Sequence, residues 1–178
     1  MGYELRKGRD VIGLPVISLA TGKELGVVED LIWSHEELKI THLVVNAKGF
    51  LNRTRYIPLE EVKGIGDDAV TVDGEEILEK GECQPEGKRV NEIAGGVVVT
   101  EEGRNLGTLE DVFFDGPGRL LGYEVSTGLV GDLLSGRMIM PPEMVVTWGK
   151  EAVIASYTGL DGSEEDRAVS DLSEQTNG

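Results

Sequence analysis

The chain has 178 residues, with 33 acidic against 17 basic side chains and a formal net charge of −16. That length suits one ordinary domain or two small ones, and no apolar run of about 18 residues exists to cross a membrane as a helix. The charge is spread evenly, −5 over residues 1–80, −6 over 81–157 and −5 over the last 21, and an evenly acidic surface disfavours direct binding to phosphate backbones.

The start, "MGYELRKGRD", lacks the apolar centre of a secretory signal, which predicts a cytoplasmic protein. Arg6 stands where a myristoylation signal wants Ser or Thr. From there the chain reads as short β-branched segments punctuated by Gly, Pro and Asp, with no convincing 3.6-residue period. Strands are predicted near 14–19, 25–33, 40–47 and 54–58, then a proline-led turn and a last strand at 69–73. The segment "LEKGECQPEG" reads as a linker. Strands then return near 95–100, 106–114, 119–127, 137–141 and 152–156. The end, residues 158–178, is rich in Ser, Asp, Glu and Gly and is expected to be a flexible acidic tail.

The two strand lists are one list written twice. "GKELGVVED" (22–30) lies on "GRNLGTLED" (103–111) at an offset of 81. "YIPLEEVKGIGDDAV" (56–70) lies on "IMPPEMVVTWGKEAV" (139–153) at an offset of 83. A period near 80 is too long for a solenoid unit and suits a small β domain. Two tandem domains follow, 5–77 and 85–157, with 78–84 between them. Five or six short strands each are best satisfied by a small closed barrel, which hides its edges and fills its interior with side chains.

The pattern Gly-x-x-Leu-Gly-x-Val/Leu-x-Asp with apolar pairs, the "HLVV" strand, "YIPLEEV" and "GDDAVTV" resembles the PRC-barrel family. This is the small β-barrel shared by the photosynthetic reaction-centre H subunit and the ribosome-maturation factor RimM. The resemblance covers about 150 of the 178 residues. It implies an all-β fold of two tandem barrels and a docking role without catalysis. Fold alone does not fix function.

Candidate sites are few. Strict alternation along strand two places Gly26, Val28, Asp30 and Ile32 on one face and Glu29 on the other; Asp111 and Glu110 follow the same rule. Neither Glu-Asp pair can then present two carboxylates to one ligand. Asp30 and Asp111 are expected to be structural, accepting backbone N–H groups at a barrel end, since an unpaired buried carboxylate is costly. His35 is read as exposed in a charged turn, and His42 as the counterpart of Tyr123. "HEEL" lacks the second histidine of a zinc HExxH helix. The single cysteine, Cys83, excludes an intrachain disulfide and a CxxC motif and reads as an incidental thiol, with no histidine close in sequence. No GxSxG elbow, phosphate loop or dinucleotide fingerprint is present.

The loop between strands three and four carries Phe50 and Leu51 in one copy, and Leu129, Val130, Leu133 and Leu134 in the other. Apolar clusters at equivalent loops either plug the barrels or form a partner-binding patch. The resulting expectation is a cytoplasmic, non-catalytic binding or adaptor protein. It would recognise an unidentified protein, use no cofactor and cross no membrane, with homodimerisation left open. The rival reading is a small-ligand or metal-binding regulator that uses the acidic pairs or an inter-barrel cleft.

Overall fold

The computed structural model describes residues 4–49, 53–127 and 136–156. The loop residues Phe50, Leu51, Leu129, Val130, Leu133 and Leu134, and the acidic tail, lie outside the described residues.

In chain order the first half forms β1 (Arg6–Lys7), the one-turn helix α1 (Gly8–Val11), β2 (Pro15–Ser18), β3 (Glu24–Ser34), β4 (Lys39–Ala47), β5 (Arg53–Pro58), β6 (Val62–Ile65), β7 (Val70–Val72) and α2 (Ile77–Lys80). The second half forms β8 (Lys88–Arg89), α3 (Val90–Ile93), β9 (Val97–Thr100), β10 (Asn105–Phe114), β11 (Leu120–Ser126), β12 (Arg137–Met140), β13 (Val145–Trp148) and β14 (Ala152–Ala155). Single 3-10 turns at Leu59–Glu61 and Pro142–Met144 follow the two proline positions. Proline supplies the fixed φ there and ends the preceding strand.

The fold is all-β, in two seven-stranded sheets. One runs β5-β4-β3-β2-β7-β6, with β8 also pairing to β3; the other runs β12-β11-β10-β9-β14-β13, with β1 also pairing to β10. In each, one parallel pair (β2 with β7, β9 with β14) lies among antiparallel neighbours. The chain separates into two compact units, Met1–Ile93 with Asp111–Leu121, and Ala94–Glu110 with Gly122–Gly178.

In the first unit, Leu31, Leu43 and Ile57 form a cross-strand row, each fully buried. The opposite face of the same strands carries a second cluster, Ile32, Val44 and Tyr56. Alternation therefore breaks down near the end of β3, where Asp30, Leu31, Ile32 and Trp33 are all buried. A β-bulge explains part of this. Val28 pairs with Val45 but Asp30 pairs with Val44, so Glu29 is the extra residue. Bulges insert one residue and reset the alternation. Asp30 thus lies on the face opposite Val28, which corrects the expectation that they share one.

The Leu-Gly step of the repeated signature has its own cause. Leu25 is the extra residue where β3 pairs with β2, and Leu106 is its equivalent where β10 pairs with β9. The glycine after it lies against the neighbouring strand. A Cβ on Gly26 would land on the Asn46 carbonyl oxygen, and one on Gly107 on the Ser126 carbonyl oxygen. Gly22, by contrast, turns with φ +69° into open space. Gly26→Ala is therefore expected to cost about 2–4 kcal/mol, through a backbone clash that needs strand separation. Gly22→Ala is expected to cost only about 1 kcal/mol, from its left-handed φ. Urea unfolding of the two variants beside wild type checks the ranking, and an equal loss would exclude the close approach as the reason for the motif.

Candidate functional site

The two shortest strands lead to the site. β1 and β8 begin equivalent segments, 82 residues apart, and each pairs with the long strand of the other repeat. Arg6 and Lys7 lie beside Phe114 and Phe113, and Lys88 and Arg89 beside Trp33 and Ile32. All of these residues belong to the first unit. Each arm then turns once, as α1 or α3, and the turn points its first N–H groups at a buried carboxylate.

Asp111, 3% exposed, accepts the Arg9 backbone N–H at 3.0 Å on Oδ2 and the Val112 N–H at 2.8 Å on Oδ1. The Arg9 Nε donates to the same Oδ2 at 2.9 Å. Asp30, 2% exposed, accepts the Leu31 and Asn91 backbone N–H groups on Oδ1, at 2.8 and 3.3 Å. Orphan N–H groups at the start of a helical turn are satisfied in this way by a side-chain acceptor. The fit is close: a Cβ on Gly8 would sit 2.6 Å from Asp111 Oδ1 and 3.1 Å from Val90.

The two carboxylates differ in one partner. Arg9 and Asn91 are equivalent, so Asp111 has a guanidinium where Asp30 has a neutral side chain. Burial pushes the Asp30 carboxyl above the usual aspartate range, with Glu92 adding to the rise. The Leu31 and Asn91 N–H groups and Arg89 oppose it. Glu29 is exposed and Glu110 half-buried, so neither pair converges on one point.

His35 is half-buried rather than exposed, its ring 5.8 Å from that of Trp33. Burial lowers its pKa, helped by Lys88 and opposed by Glu36. His42 is not the counterpart of Tyr123. Tyr123 pairs with Met140 as Leu43 pairs with Ile57, so strand three keeps an offset of 80 and Gly122 stands where the first copy has His42. Burial also lowers the His42 pKa, opposed by Glu60 and Glu37.

His42 and Cys83 line one small cavity of about 120 Å³ with Tyr56, Glu61 and Lys80. They are 41 residues apart, and only the fold of the linker across β5, with Tyr56 N–H donating to the Gly81 carbonyl at 2.9 Å, brings them together. No sequence signal marked that encounter. Among the described residues, no three His, Cys, Asp or Glu side chains gather as a metal set, and no helix is long and apolar enough to cross a membrane.

The PRC-barrel domain family matches this chain twice, at residues 4–78 and 85–160. An uncharacterised protein, YrrD, of Bacillus subtilis (strain 168) is 26% identical over 159 residues, spanning 85% of this chain and 88% of its own. A solved structure described as a 16S ribosomal RNA processing protein RimM, from Pseudomonas aeruginosa, is 14% identical. It covers 74% of this chain and 96% of its own, with a TM-score of 0.31.

The unequal partners of the two carboxylates make opposite predictions. Asp111→Asn weakens an ion pair to a buried oxygen and is expected to cost about 1.5–3 kcal/mol. Asp30→Asn keeps an oxygen for both N–H groups and removes a poorly compensated buried charge, so it is expected to be neutral or stabilising by up to about 1 kcal/mol at pH 7. Because folding raises the Asp30 pKa, the folded state binds that proton more tightly than the unfolded chain. The ionised form is then the unfavourable one, and its cost is relieved as pH falls through the raised value. The advantage of D30N should therefore shrink on acidification. Unfolding curves at pH 7 and pH 5 read both effects.

Proposed function

Since the chain belongs to the PRC-barrel family, we propose that it is a non-catalytic adaptor whose two barrels recognise another protein. One observation carries this reading. Both long strands receive a short basic segment by backbone pairing, and a buried carboxylate holds the turn that follows it. Pairing by backbone gives affinity without demanding a sequence, while the carboxylate and the flanking side chains select register. That is the chemistry of strand addition, a recurring mode of peptide recognition.

Strands β6 and β13 end their sheets, and an unpaired strand edge is a template for another chain. β13 carries the exposed Val146 and Thr147. The net charge of −16 favours a partner with a neutral or basic surface and speeds encounter with it at low salt. The apolar residues Phe50, Leu51, Leu129, Val130, Leu133 and Leu134 are proposed as further contact residues.

Affinity capture from native extract, followed by binding measurements with the purified partner, tests the proposal. The double variant Leu133→Ser, Leu134→Ser and the edge variant Val146→Lys are each expected to keep the unfolding midpoint within about 3 °C and to weaken partner binding at least about 10-fold. Undiminished binding by both variants would place recognition elsewhere. Capture of no protein partner, together with a thermal shift on adding a divalent metal that Asp30→Asn or Asp111→Asn abolishes, would favour a metal-binding regulator instead.

A further inference from the structure

The first unit contains a second cavity, of about 190 Å³, lined by Arg6, Leu59, Val62, Ile65 and Phe114 and edged by Glu4 and Lys63. Its lining includes a buried cation. The Arg6 side chain is 9% exposed, yet it is held by weak partners. NH2 donates to Glu4 Oε2 at 2.7 Å, and Glu4 is 69% exposed. NH1 is 3.7 Å from Asp67 Oδ1, whose side chain is 90% exposed, and 3.4 Å from the Gly66 carbonyl. Among the described residues, the one short charged contact on this buried guanidinium is thus a carboxylate from an exposed side chain two residues away.

We propose that this cavity binds a small apolar monocarboxylate, whose carboxylate takes the place Glu4 holds on the Arg6 guanidinium. Guanidinium recognises carboxylate through paired, charge-assisted hydrogen bonds, and its planar fork sets the approach. Leu59, Val62, Ile65 and Phe114 line the same cavity, and apolar side chains beside a guanidinium suit an alkyl or aryl body. Glu4 acts as a resident stand-in. Glu4 reaches Arg6 from a side chain that is 69% exposed, so water can take over the freed carboxylate, and a ligand that also buries apolar surface displaces it. Lys63 at the rim is itself paired with Asp73, Nζ to Oδ2 at 3.1 Å, so Arg6 is the cation the ligand would meet.

A purely structural role for Arg6, anchoring β1 beside Phe114, predicts no ligand at all. Titration of the full chain with benzoate and with hexanoate, followed by amide chemical shifts, separates the two. Saturable binding is expected with a Kd between about 10 μM and 1 mM, the range open to a ligand of this size. Shifts should concentrate at residues 4–7, 62–66 and 114–116. Benzyl alcohol, of the same shape without the charge, should bind at least about 10-fold more weakly. Glu4→Gln removes the competing carboxylate from an exposed position and should tighten benzoate about 2-fold to 5-fold. Arg6→Gln should weaken it at least about 10-fold. Should that variant unfold, the Glu4→Gln and benzyl alcohol comparisons still decide. No saturable shift with either carboxylate, or equal binding of benzoate and benzyl alcohol with no effect of Glu4→Gln, would overturn the proposal.

Discussion

Two carboxylates, each buried within a long strand and each aimed at the first N–H groups of a one-turn helix, organise the first unit. A buried aspartate is tolerated only when its oxygens are used. Here the use is specific: Asp111 fixes the turn after β1, and Asp30 fixes the turn after β8. Two-residue strands gain little from their own backbone pairing and would not hold their register alone. The carboxylate supplies a fixed point one residue beyond the helix start, and that point decides which residues of the arm lie beside Ile32 and Trp33, or beside Phe113 and Phe114. Register, and with it the placement of Arg6 beside Phe114 in the lining of its cavity, depends on that grip.

The bulge in β3 belongs to the same arrangement. If alternation ran unbroken through Glu29, Asp30 would share a face with Val28. The extra residue turns Asp30 to the face that carries Ile32, Val44 and Tyr56, where the segment 81–91 passes. Tyr56 marks the contact: its N–H donates to the Gly81 carbonyl, and its hydroxyl lies within hydrogen-bond distance of Gln84 and Arg89. Gly87 is required there because a Cβ would sit 2.7 Å from Ile32 and from the Trp33 carbonyl, at a φ of +128°. The stretch that composition marks as a polar linker is therefore packed cover for an apolar face. A linker is usually read from its lack of apolar periodicity. That test fails here because the covering contacts are made by glycine backbone, a tyrosine hydroxyl and an arginine.

The all-β class, the tandem repeat and the long strands were legible in the sequence because the same turn residues and β-branched pairs occur twice, and coincidence in one copy is unlikely to recur in the other. The two arms were not legible. Arg6–Lys7 and Lys88–Arg89 are charged pairs with no alternation to detect, and their partners lie more than 50 residues away. Strands β6 and β13 were missed as well, since the proline-led turn before each one reads as loop. The offset of strand three slipped by one for a local reason: β4 carries an extra residue at Thr41, between the pairs Ile32 with His42 and Trp33 with Ile40. An alignment by identity cannot place a one-residue bulge between two short apolar strands.

The repeats are equal in fold and unequal in charge, and the inequality has a physical direction. Arg9 gives Asp111 a partner that offsets burial; Asn91 gives Asp30 only a backbone N–H, and burial then raises its pKa. A charge left without an ionic partner inside a protein is normally replaced or neutralised over a change of side chain as small as Asp to Asn. Keeping it at Asp30 is less costly than at a site with no donors, because two backbone N–H groups and the nearby Arg89 already favour the anion. The second arm is thus held mainly by hydrogen bonds, and the first by hydrogen bonds and an ion pair. Added salt weakens an ion pair whose cation is half exposed and leaves backbone hydrogen bonds nearly untouched. The two grips therefore respond to different conditions, although the same fold builds them both.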